Sequence, residues 1–137
     1  MIHLKLFHGS QLLVFSLLVI MAGCVSDQQS GRQTTEMRAK QICDAVHDYM
    51  SKSTIQDPLL HSQMQEIKLE NMHVSSDGVI WFGADWRYEA ESNRLFNKGG
   101  KIGNEITCFV IIFQPLKEGV IVRDAKTVRY YGTERIP

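Results

Sequence analysis

Neither sign of charge is in surplus in this chain. Fifteen Lys and Arg stand against fifteen Asp and Glu, and no basic block breaks the balance. Nucleic-acid binding draws most of its affinity from neutralised phosphates and leaves a basic run or stripe behind it, so that class of partner is not expected. Metal-ligand spacing is missing as well. His47, His61 and His73 are scattered, with no HExxH and no paired CxxC. No GxSxG elbow presents a serine nucleophile. Gly99, Gly100 and Gly103 lead into a strand pattern, whereas a phosphate-cradling loop leads into a helix N-terminus. Asp85 and Glu89 alternate with Arg87, the pattern of a solvated strand face rather than of an acid–base pair. A Cys–His pair would need Cys108 free and open, and its neighbours are apolar. An enzyme is therefore not expected, and no cofactor or metal is implied.

A long apolar span is also lacking. The apolar run from Leu12 to Met21 covers about 15 Å as a helix, half of a bilayer's hydrocarbon thickness. Lys5 precedes it and the small residues Ala22 and Gly23 follow, which is the layout of a cleaved secretory signal. Met21-Ala22-Gly23-Cys24 resembles the lipobox of bacterial lipoproteins, with Met21 where Leu is more common. The resemblance implies removal of residues 1–23 and acylation of Cys24, so that the membrane is reached through an N-terminal lipid. Each buried methylene contributes about 0.8 kcal/mol, and two or more chains make such an anchor stable. Val25 and Ser26 follow the cysteine where an Asp would resemble an inner-membrane retention signal, so the resemblance implies the outer membrane, facing the periplasm. The alternative is an ordinary signal cut nearby, leaving a soluble periplasmic protein.

The part after Gly23 loses one Lys and no acid, giving 14 basic and 15 acidic residues, a formal charge of −1. Residues 24–34 are polar and aperiodic, and read as a flexible tether. Residues 35–137 suffice for a single domain. Within it, Ala39, Ile42, Cys43, Val46, Tyr49 and Met50 recur at spacings of three and four, which predicts a helix from about Thr35 to Ser51. Asp57-Pro58 opens a short second helix with Leu59, Leu60 and Met64 on one side. Four strands are expected after it: Glu66 to Val74, one long strand from Ile80 to Glu91, Glu105 to Gln114, and Val120 to Tyr131. Ser92 to Asn104 reads as a loop. The predicted fold is α+β, a helix packed on a four-stranded antiparallel meander, an outline shared in order alone with cystatin-like and NTF2-like rolls.

With Cys24 lipidated, Cys43 and Cys108 remain as an even pair in an oxidising compartment, and a disulfide between them is expected. It would put the helix over the even positions Ile106, Cys108, Val110 and Ile112 of the third predicted strand. Phe109, Ile111 and Phe113 would then share the other face with Val79 and Trp81. Something must cover such a face: either the chain itself, or a partner or second copy docking there. Leu95 and Phe96, flanked by Arg94 and Lys98 in the predicted loop, form a second candidate contact, with a partner or with anionic headgroups; the alternative is that both simply cap the core. The expected role is a non-enzymatic binding or assembly accessory of an envelope machine, such as a secretion or conjugation system. The alternatives are a periplasmic inhibitor or immunity protein, and a small-ligand or lipid carrier whose pocket Trp86 and Tyr88 would line.

Overall fold

A computed structural model describes residues 34–132. The signal segment, Cys24 and all but the last residue of the expected tether lie outside them. Helix α1 runs over residues 34–52 and buries Ala39, Ile42, Cys43, Ala45 and Val46. Its outer side is charged, with Lys40 Nζ 2.6 Å from Asp44 and Lys52 Nζ 2.9 Å from Asp48. Exposed i,i+4 pairs of this kind contribute about 0.3–0.5 kcal/mol each, so packing of the apolar side does most to hold α1. Helix α2, Pro58–Met64, starts where expected. Asp57 Oδ1 accepts the backbone N–H of Leu59 at 2.9 Å, and its Oδ2 accepts the Thr127 hydroxyl at 2.6 Å. One carboxylate thus caps α2 and ties it to the far edge of the sheet. Leu60 and Met64 turn inward, whereas Leu59 is exposed.

The class is α+β, but the sheet has six antiparallel strands in chain order rather than four. They are β1 Met72–Val74, β2 Ile80–Phe82, β3 Trp86–Glu89, β4 Arg94–Ile102, β5 Glu105–Pro115 and β6 Val120–Tyr131. A 3-10 turn, Leu69–Asn71, occupies most of the stretch expected to begin the first strand.

The expected long strand from Ile80 is a hairpin. Gly83, at φ 64°, helps turn the chain through residues 83–85, and Phe82 then faces Trp86 directly. Even positions pair with even positions across that turn, so the alternation continues as if the strand had never stopped. The expected loop is β4. It pairs with β5 from Arg94 opposite Ile112 to Ile102 opposite Glu105, interrupted by a bulge between Asn97 and Gly100. Gly99 sits in the bulge at φ 63°, and Gly103, at φ 59°, makes the tight turn into β5.

Parity decides which side chains meet the helices. Four residues separate Glu89 from Arg94, which face each other across the β3–β4 turn, so even positions of β3 share a side with odd positions of β4 and β5. The core therefore joins Ile80, Phe82, Trp86 and Tyr88 to Leu95, Phe109, Ile111 and Phe113 under α1 and α2. This reverses the expected covering of β5. Cys43 lies in that core, while Cys108, at an even position, points to the other side of the sheet. The expected disulfide is absent and both thiols are free. The sheet backbone stands between them.

Candidate functional site

The second side of the sheet, away from α1 and α2, carries a separate apolar strip. Phe96, Cys108 and Val110 form its centre, with Ile106, Ile112, Val128 and Tyr130 partly buried around them. All seven lie on β4, β5 or β6. The strip exists because β5 is apolar at both odd and even positions, which only a strand with material on both sides requires.

Cations frame it. The guanidinium carbons of Arg87 and Arg94 lie 6.0 Å and 5.5 Å from the centroid of the Phe96 ring. Contacts of this kind contribute about 0.5–1 kcal/mol at exposed sites. Glu89 accepts from both arginines at 2.9 Å. Burial pushes the Glu89 carboxyl upward, but the hydrogen bonds from Arg94 and Arg87 outweigh it and hold the group below its ordinary range. Lys126 faces Val110 across β5–β6, and Lys101 faces Ile106 across β4–β5. Burial raises the Cys108 thiol and the charge of Lys98 nearby lowers it, with a net rise. On the same side, at β2, the Trp81 ring stacks on His73 at 6.4 Å.

Two of the residues expected to contact a partner thus fall on this side, Trp81 and Phe96. The others do not. Leu95, Phe109, Ile111 and Phe113 are buried beneath the helices and offer no surface to a partner. For Phe109, Ile111 and Phe113 the expectation rests on a disulfide that would fix the wrong side of β5, and for Leu95 on a loop that is strand β4. The lysines and arginines around the strip were not expected as a group. Their register across β4, β5 and β6 assembles them, placing Lys101 opposite Ile106, Lys126 opposite Val110 and Arg94 opposite Ile112; in the sequence alone Arg94 and Lys98 are already visible beside Phe96.

Among the described residues the inner side is mostly packed core. Trp86 is fully buried, its indole N–H donating to the Gln63 carbonyl at 2.8 Å. The Tyr88 hydroxyl donates to Asn93 Oδ1 at 2.8 Å, and its ring meets Phe113 edge-on at 6.3 Å. Of the two aromatics expected to line a pocket, Tyr88 is core, while Trp86, though fully buried, borders a cleft with Gln63, Glu66 and Asp85. Asn97, fully buried between strand and helix, donates to Gln63 Oε1 at 3.0 Å and accepts from the Gly99 N–H at 2.7 Å. Two clefts open at the margins. One, of about 220 Å³, lies beside the β2–β3 turn and Gln63. The other, of about 350 Å³, runs between residues 54–57 and β6. Among the described residues no three His, Cys, Asp or Glu side chains are grouped to hold a metal ion. The Cys43 thiol is pushed up to about 11, chiefly by burial and further by Asp44, which keeps it protonated and inert at neutral pH. No described helix is long and apolar enough to cross a membrane. Comparison with protein-family models, curated proteins and solved structures gives no match to this chain.

Proposed function

We propose that this chain is an exported lipoprotein, anchored through acylated Cys24 and working as a non-enzymatic binding or assembly accessory of an envelope machine such as a secretion or conjugation system. The observation that carries the reading is Met21-Ala22-Gly23-Cys24 at the end of a short apolar run, with nine residues between Cys24 and the start of α1. Even fully extended, nine residues span about 30 Å, so the domain works close to the surface that holds the lipid. The framed strip on the outer side of the sheet supports a role by contact, since an apolar surface rimmed by charge is the usual form of an interaction site. Val25 and Ser26 favour the outer membrane, facing the periplasm.

Mass spectrometry of mature protein from membranes tests the anchor. The expected N-terminus is Cys24 carrying a diacylglycerol group, and Cys24→Ser removes both the modification and the membrane partition. An intact leader or an unmodified terminus at another residue refutes the reading. A photo-crosslinking amino acid at Leu59, an exposed position on α2, should capture an envelope protein in cells. Labelling that returns no recurrent protein argues against an accessory role.

A further inference from the structure

The outer side of the sheet holds more cations than its own carboxylates neutralise. Arg87 and Arg94 flank Phe96, and Lys98, Lys101 and Lys126 stand beside Cys108, Ile106 and Val110. Against these five, the carboxylates on that side are Glu89, already held by both arginines, and Asp124, opposite Ile112; Asp77 lies near Arg87 at the margin. Among the described residues, Lys98, Lys101 and Lys126 take part in no ion pair, whereas Lys40 and Lys52 on the helix side are each paired. In a chain whose charges otherwise cancel, one side of the sheet is cationic.

Three features identify what fits it. A second copy would bring like charge against like charge, which disfavours self-association through this side. The centre of the strip is flush: Phe96 and Val110 are only 9% and 4% exposed, and neither cleft opens among them. A protein hot spot is best formed in a well-packed pocket, and neither cleft described above opens at the centre of this side. A layer of anionic headgroups needs no pocket, only spread cations on flexible stems and interfacial aromatics such as the half-buried Trp81 and Tyr130.

We propose that this side of the sheet rests on anionic phospholipid, which turns the helix side away from the membrane, toward protein partners. The proposal depends on the anchored reading only for bringing the domain to a membrane. The residues from Met37 onward form a compact unit with their own core, so the chain from residue 25 can be tested without lipid.

The experiment is sedimentation of that unlipidated chain with vesicles of phosphatidylglycerol and phosphatidylethanolamine, and separately with phosphatidylcholine alone. Binding is expected to the anionic vesicles only, and to weaken steeply as salt shortens the Debye length. Each lysine near an anionic surface is worth about fivefold in partition, so Lys98→Gln, Lys101→Gln and Lys126→Gln together should lower it about a hundredfold. Lys40→Gln with Lys52→Gln should leave it unchanged. All five lysines are exposed, and circular dichroism checks that the variants fold. Equal binding to both vesicle types, no binding to either, or retention on immobilised polyglutamate without vesicle binding would overturn the proposal, the last assigning the face to an acidic protein. Since this chain has no lipid, loss of Cys24 acylation in cells and loss of vesicle binding here are separate failures.

Discussion

Gly99 and Gly100 are adjacent in β4, yet the structure gives them opposite sensitivities. At Gly99 the backbone stands at φ 63°, and an added Cβ would overlap the Thr107 carbonyl oxygen, lie 3.1 Å from the Thr107 carbonyl carbon and 3.2 Å from Phe109 Cε2. At Gly100 the added carbon meets nothing within 4 Å. Gly99→Ala therefore incurs about 1–2 kcal/mol for the left-handed backbone and about 1–3 kcal/mol for the overlap, because the opposing atom is backbone of a paired strand. Should the bulge shift to relieve the overlap, the Gly99 N–H leaves Asn97 Oδ1, and the fully buried Asn97 side chain loses that partner at a similar cost of about 1–3 kcal/mol. Either route costs about 3 kcal/mol, a large fraction of the stability of a small domain. Gly100→Ala is expected to change stability by less than about 1 kcal/mol, with a gain possible through the unfolded state. Urea unfolding followed by Trp fluorescence measures both, since Trp86 is fully buried. Equal losses in the two variants, or a Gly99→Ala loss under about 1 kcal/mol, would refute the placement of the bulge.

Two further outcomes follow from the same packing. Asp57→Ala removes the cap of α2 and its tie to β6, at a cost of about 0.5–2 kcal/mol at neutral pH. The Thr127 hydroxyl, with the backbone N–H groups of Leu59 and Leu60 and the charge of Arg129, holds the Asp57 carboxyl below its ordinary value of 3.8. A depressed carboxylate stabilises above that value and loses its contribution as the group protonates, so chemical denaturation at stepped pH should show parent and variant converging below it. Cys43 and Cys108 should both react with iodoacetamide only after unfolding, and a cross-linked peptide on non-reducing digestion would contradict their separation by the sheet.

The long amphipathic helix was the most legible element, because its inward residues recur at a spacing only a helix satisfies and its i,i+4 ion pairs agree with it. The sheet was legible as strands but not as a count. Trp86 and Tyr88 continue the pattern of Ile80 and Phe82 across a turn whose odd length preserves parity, so periodicity alone carries no mark of it. Arg94 to Ile102 looked like a loop because Gly99 and Gly100 weaken a strand pattern, whereas here they serve a bulge. Assigning sides to β5 failed for another reason. Phe109, Ile111 and Phe113 compete with Ile106, Val110 and Ile112 on equal hydrophobic terms, and the choice was made by a cysteine pairing that does not exist. Only pairing register, set by the four-residue turn before Arg94, separates the two. For the same reason Lys101 and Lys126, which join Phe96 on the outer side only through register, are not legible in the sequence.

Strands that pair in chain order give this molecule a particular assembly history. Each hairpin closes over a short connection, within microseconds for such a unit in isolation, and adds to the one before it. Helix α1 is the exception: Ile42 and Val46 meet Phe109 and Ile111, more than sixty residues downstream. The element synthesised first is thus the last to find its cover. Until β5 has emerged, the greasy flank of α1 has only part of its native cover, and a chaperone that holds the nascent chain through that interval should raise its yield more than one that acts on the finished sheet.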